Sequence, residues 1–161
     1  MNWCPKSSQM ALLTFKNVGI TGLSASVPAN TIDNYTHDLY FSREDIREVV
    51  DKIGVKQRRF AGRDVCSSDL CFAAAEKLIS GMSVDRNEID LLIFISQTPD
   101  YRMPATSVLL QERLRLPSDT IAFDINLGCS AFLYGLTVAY SMLIAGGVRK
   151  VLILDGETRS K

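Results

Sequence analysis

Cys129 is the residue whose type and setting most invite chemistry. It sits in DINLGCSAFLYGL, residues 124–136, after a Leu-Gly step and directly before a run that reads as an apolar helix. A strand that enters a tight turn and leaves as a helix exposes the turn residue at a helix N-terminus. The unsatisfied N–H groups there, with the helix dipole, favour an anion. A thiolate is such an anion, so the position favours the nucleophilic form of cysteine. The same N–H groups can supply half of an oxyanion hole. Ser130, Ala131 and Gly135 are small and let a substrate or another backbone approach closely. The spacing suits a small buried hydrophobe equally well, because free cysteine is among the most buried residue types. On spacing alone both readings stand.

The remaining reactive residues form no second constellation. Cys4, Cys66 and Cys71 match neither a zinc pattern nor a small disulfide framework, so no metal site and a reduced, cytosolic setting are expected. The single histidine, His37, falls in an early polar loop and reads as a surface residue. The basic run Lys56, Arg58, Arg59 and Arg63 is either a solvated face or a surface for an acidic partner. Asp155 and Glu157 follow the last apolar run, where a parallel sheet often places functional loops, but the sequence gives them no specific role.

The elements that must position Cys129 follow from periodicity. Residues 16–27, KNVGITGLSASV, read as a first strand bent at Gly19 or Gly22, closed by Pro28. Ser42 and Asp45 form a capping-box pattern ahead of Ile46, Val49, Val50 and Ile53, and Gly54 is placed to stop that helix. Ser68 is expected to cap a second helix ending near Gly81. Residues 90–96, DLLIFIS, are continuously apolar, as in a strand covered on both faces of a parallel sheet. A loop at 97–104, a helix at 105–116, and a strand at 120–126 follow. A helix at 130–145 is stopped by Gly146-Gly147, and 150–155 is a last strand.

This alternation predicts an α/β domain with one mixed, mostly parallel sheet of five strands, the first segment counting twice through its bend. The helix after Cys129, apolar almost all round, is expected to be the most buried, unless an exposed face marks where further chain docks. Residues 1–15 read as an N-terminal extension, with Met10 an alternative start, and 16–161 as one domain.

Composition narrows the partners. Eighteen basic and eighteen acidic residues cancel, so no net field points to nucleic acid or a membrane surface. No apolar run reaches the roughly 18 residues of a membrane span. The N-terminus lacks the apolar core of a signal peptide.

The order of elements, together with GVKQRRFA, QTPDYRMPATS, NLGCSAFLYGL and VLILDGETRSK, resembles the N-terminal half of a β-ketoacyl-acyl carrier protein synthase III, a condensing enzyme of the thiolase superfamily. The resemblance runs from about Lys16 to the last residue and is most specific around Cys129. It implies the N-terminal half of a duplicated αβαβα fold. Cys129 matches the family's nucleophile, which takes an acyl group from a coenzyme A or carrier-protein thioester. The acyl-enzyme then condenses with malonyl-acyl carrier protein, with loss of carbon dioxide, in a cytoplasmic homodimer that needs no cofactor beyond its thioester substrates.

The family's catalytic histidine and asparagine belong to the second half, so the resemblance implies a fragment that is inactive alone. Met103, before Pro104, matches an apolar position that closes the partner's acyl pocket, though an ordinary packed loop residue fits as well. Lys52 and Glu48 fall where some members hold coenzyme A with an arginine and a tryptophan. Lys52 keeps a charge for phosphate without the planar fork. Glu48 cannot stack on adenine. The alternatives are a related condensing enzyme of polyketide or specialised lipid synthesis, and a non-catalytic dimerising half-domain.

Overall fold

A computed structural model describes residues 12–159; Cys4 and Met10 lie outside them. The core is a three-stranded parallel sheet ordered β4-β3-β5, formed by β3 (Leu91–Ile95), β4 (Ile121–Ile125) and β5 (Val151–Asp155). β3 runs down the middle. It pairs Leu91 with Ile121 on one side and with Val151 on the other. A central strand with both edges and both faces covered has to be apolar throughout, and all five residues of β3 are buried. Each crossover is a helix. α3 (Thr106–Arg113) joins β3 to β4, and α4 (Ala131–Ala145) joins β4 to β5.

One face of the sheet packs on α2 (Ser67–Gly81) and α3, through Cys71, Ala75, Ile79, Leu110 and Leu114 against Leu92, Phe94, Leu152 and Leu154. The other face packs on α4, through Ala131 and Ala139 against Leu91, Ile93 and Ile95. Alternate residues of β3 feed the two layers, as a period of two requires. At the amino ends of the strands, Asp90 grips Arg149. Its carboxylate accepts the Arg149 backbone N–H at 2.7 Å and the guanidinium at 2.8 Å. That partner holds the Asp90 carboxyl at about 2, below the ordinary carboxylate range.

The first strand is not where the pattern put it. Residues 16–27 form no strand, and Ile20, Leu23 and Val27 stay exposed. Strand propensity is a preference for a half-buried pleated surface, and among the described residues no strand pairs with the segment to provide one. The two remaining strands are β1 (Asn30–Asp33) and β2 (Gln57–Phe60), paired antiparallel in a sheet of their own. Among the described residues the strands therefore number five, but in two sheets. β2 occupies the basic run expected to be a connector.

α1 (Arg43–Ile53) lies between β1 and β2 and has the predicted ends. Ser42 Oγ accepts the Asp45 N–H at 3.1 Å, and Gly54 takes the left-handed conformation at φ 77°. α2 departs from expectation at its start. Cys66, not Ser68, is the cap position, and the Asp69 carboxylate accepts the Cys66 backbone N–H at 2.8 Å. Ser68 is spent elsewhere: its hydroxyl bonds the Asp100 carboxylate.

α4 is stopped by Gly146 and Gly147, both at positive φ, as predicted. It is not the most buried helix. Only Ala131, Gly135 and Ala139 are buried, a stripe of small residues facing the sheet, while Phe132, Leu133, Tyr134 and Ile144 face outward. A Cβ on Gly135 would overlap Ile95 Cδ1, so the glycine is what allows helix and strand to approach so closely. An all-round apolar helix needs cover on two sides, and this chain covers one.

Candidate active site

Because the three core strands are parallel, their carboxyl ends meet at one edge of the sheet. Ser96, Gln97 and Thr98 leave β3 there. Residues 126–130 leave β4, and Gly156, Glu157, Thr158 and Arg159 leave β5. Cys129 stands in the β4–α4 turn. The Ala131 N–H closes the turn on Gly128 O at 2.8 Å, and the Tyr134 N–H begins the helical ladder on Ser130 O at 3.2 Å. Ser130 makes no side-chain cap bond, so no cap side chain competes for the N–H groups of the first turn.

The Cys129 thiol is free and exposed. It lines a cleft of about 260 Å³ with Gln97, Phe132, Asp155 and Glu157, floored by Ile95 and Ala131. Cys129 is therefore not a buried residue in this structure. Cys71 takes that role instead. It is 4% exposed, and burial, reinforced by the charges of Asp155, Asp100 and Glu157, pushes its thiol up to about 12. Cys66 is half-buried and lines a separate, wider hollow of about 460 Å³ with Thr98, Asp100 and Arg159. That hollow does not contain Cys129.

One wall of the Cys129 cleft is a tied structure. Glu157 accepts the Gln97 backbone N–H at 2.6 Å and the Thr98 hydroxyl at 2.8 Å. Thr98 Oγ1 in turn accepts the Thr158 N–H at 3.1 Å, and the Arg159 guanidinium donates to Gln97 Oε1. The Gly156 N–H reaches Ile95 O at 3.1 Å and extends the pairing of β3 with β5 past the sheet. Desolvation of the Asp155 carboxyl, with Glu157 beside it, raises it above the usual carboxylate range.

A second carboxylate supports the site from behind. Asp124, inside β4, accepts the N–H groups of Thr106 and Ser107 at 2.8 Å each and so caps α3, which has no cap of its own.

The other sequence candidates do not converge on Cys129. Met103 is 86% exposed on the β3–α3 loop and does not line the cleft. Lys52 and Glu48 are exposed on α1 and do not line it either. His37 packs against Phe60, ring centroids 6.4 Å apart. The basic run is largely spoken for. Arg58 bonds Asn34 and stacks on Phe60, and Arg59 donates to Ala29 O at 3.0 Å. Gln97, Thr98 and Phe132 were not singled out from the sequence. Their one available signal was position, immediately after a parallel strand or one helical turn past the cysteine.

The family model for 3-oxoacyl-[acyl-carrier-protein] synthase III matches residues 123–161, the stretch from β4 through Cys129 to the end of the chain. A β-ketoacyl-[acyl-carrier-protein] synthase III of Clostridioides difficile is 34% identical over 143 residues, covering 89% of this chain and 43% of the relative.

The chain is similar to the N-terminal part of the synthase III family. Among solved structures, a 3-oxoacyl-(acyl-carrier protein) synthase from Burkholderia xenovorans superimposes with a TM-score of 0.77 at 40% identity, over 81% of this chain and 38% of that one. A β-ketoacyl-[acyl carrier protein] synthase III from Thermus thermophilus gives 0.79 at 34%, over 89% and 44%. The fold is thus thiolase-like, and what is present is the family's N-terminal part. The chain spans less than half the length, 42–44%, of the curated synthase III relatives it matches.

Proposed function

We propose that Cys129 is the acyl-accepting nucleophile of a decarboxylative condensing enzyme of the synthase III type. The observation that carries this reading is the exposed thiol of Cys129 in the β4–α4 turn, lining a cleft at the carboxyl edge of the parallel sheet. The thiolate attacks the carbonyl carbon of an acyl thioester. A new C–S bond forms, the tetrahedral oxyanion collapses, and the donor leaves as a thiolate that takes a proton. The first-turn N–H groups of α4, which no cap side chain occupies, are the proposed donors to that developing charge.

In the second half-reaction malonyl-acyl carrier protein loses carbon dioxide. Its α-carbon attacks the acyl-Cys129 carbonyl, and Cys129 is expelled as the 3-oxoacyl product forms. This step calls for donors to the malonyl thioester oxygen. His37 does not line the cleft, and the resemblance assigns the histidine and asparagine to the second half of a family-length protein. The isolated 161-residue chain is therefore proposed to stop at the acyl-enzyme.

Acyl carrier protein and acyl thioesters are the proposed partners, in a cytoplasmic homodimer. Among the described residues no helix is long and apolar enough to cross a membrane. Met103, 86% exposed on its loop, is the proposed contact for an acyl pocket completed by a second subunit. Lys52 is the proposed contact for a coenzyme A phosphate. The test is acyl loading: the protein incubated with acetyl-coenzyme A should gain one acetyl group on the Cys129 peptide by mass spectrometry, and Cys129→Ser should gain none. Acetylation that persists in Cys129→Ser, or that falls on Cys66, would overturn the assignment.

A further inference from the structure

Glu157 is the least expected member of the cleft, because among the described residues its carboxylate's hydrogen bonds go to a backbone N–H and a hydroxyl rather than to a cation. It is spent on main-chain and hydroxyl donors from another segment: one oxygen accepts the Gln97 N–H at 2.6 Å, the other the Thr98 hydroxyl at 2.8 Å. The consequences run through Thr98. Its carbonyl accepts the Ser67 hydroxyl at 2.6 Å, its N–H donates to Ser96 Oγ at 3.0 Å, and its hydroxyl oxygen accepts the Thr158 N–H at 3.1 Å. The exit of β3 is thereby fixed to α2 and to the exit of β5 at once.

Gln97 is held at both ends, its backbone by Glu157 and its side-chain oxygen by Arg159. Its Nε2 is left against Gly128, where a Cβ would come within 2.8 Å of it. Gln97 therefore forms the wall facing the Gly128–Cys129 turn, and Glu157 is what holds that wall in place.

We infer that Glu157 is a positioning residue for Cys129: it sets, through Gln97 and Thr98, the width of the cleft through which an acyl donor reaches the thiol. This rests on the reading of Cys129 as the acyl acceptor. A site held to within a fraction of an ångström by hydrogen bonds loses selectivity when the holding group goes, without losing the reactive atom. Glu157→Ala removes both acceptors and frees the wall. Glu157→Gln removes the charge, keeps an oxygen to accept the Gln97 N–H, and turns an amide N–H to the Thr98 hydroxyl oxygen, whose own proton can turn to Ser96 Oγ. A purely electrostatic influence on Cys129 moves both variants equally; positioning separates them.

The experiment measures rate constants for alkylation at Cys129 by iodoacetamide and by its N-hexyl derivative, each followed by peptide mapping on the folded chain. The ratio of the two rates should shift by about threefold or more in Glu157→Ala, modest against the losses that misplacement can cause. Glu157→Gln should keep the wild-type ratio. Thr98→Val, which deletes the hydroxyl joining Glu157 to Thr158, should move the ratio in the same direction and serves if Glu157→Ala does not fold. An unchanged ratio in both Glu157→Ala and Thr98→Val, or an equal shift in Glu157→Ala and Glu157→Gln, overturns the inference. Failure of the nucleophile reading has its own signature: Cys129 labels no faster than Cys66 in the wild-type chain.

Discussion

The described cysteines differ in surroundings enough to predict their order of reaction. Cys129 is exposed at the mouth of a cleft, Cys66 is half-buried, and Cys71 is buried with its thiol at about 12. At neutral pH that value leaves about one part in 10⁵ of Cys71 as thiolate, before any steric exclusion is counted. Limiting iodoacetamide should therefore label Cys129 first and Cys71 last, and the order should vanish in concentrated urea. Labelling of Cys71 as fast as Cys129 in the folded chain would contradict the burial assigned here. The position of Cys129 was legible because a strand, a tight turn and an apolar helix are local features of the sequence. Glu157 was visible only as a carboxylate after a strand. Its role depends on residues 59 and 60 positions earlier, which no local pattern relates to it.

Elements show the same division between local and distant causes. The ends of α1 and the stop of α4 are written in caps and glycines that act within one turn, and the structure keeps both. The apolar core strands were legible from composition alone, since a doubly covered strand has no polar alternation to confuse it. Residues 16–27 carry strand composition without a neighbouring strand, and β1 and β2, four residues each, are too short for periodicity to separate from loop.

α3 is an element whose start is determined from elsewhere. Ala105 cannot cap it, so Asp124 of β4 supplies the acceptor for two N–H groups. Asp124→Ala should cost about 1–3 kcal/mol, the range for losing a charged acceptor with its donors left unpaired. Asp124→Asn, which keeps one acceptor oxygen, should cost less. Urea unfolding monitored by circular dichroism checks both, and an Asp124→Ala variant as stable as wild type would show that α3 is capped by water instead. Because Asp124 lies five residues before Cys129, loss of this cap should also slow selective labelling of the cysteine.

At the scale of the whole molecule, the apolar surface is the main physical fact. Hydrophobic residues make up 47% of the sequence, ordinary for a globular domain, yet α4 turns Phe132, Leu133, Tyr134 and Ile144 outward. An apolar face of this kind on one helix is uncommon on a monomer and marks a surface meant for covering. The sequence showed that the helix was apolar all round; it did not show that the chain covers only one side, because that depends on how much protein surrounds it.

The curated relatives it matches are more than twice as long as this chain. Alone in solution, the chain should bury the face against itself. Sedimentation velocity should show a weight-average mass that rises with concentration. Leu133, 65% exposed, contacts little within the chain, so Leu133→Glu should reduce association while changing the stability of the fold by no more than about 0.5 kcal/mol. Should the wild-type chain sediment as a compact monomer at every concentration, the face would be satisfied by solvent, and the argument from burial to association would fail.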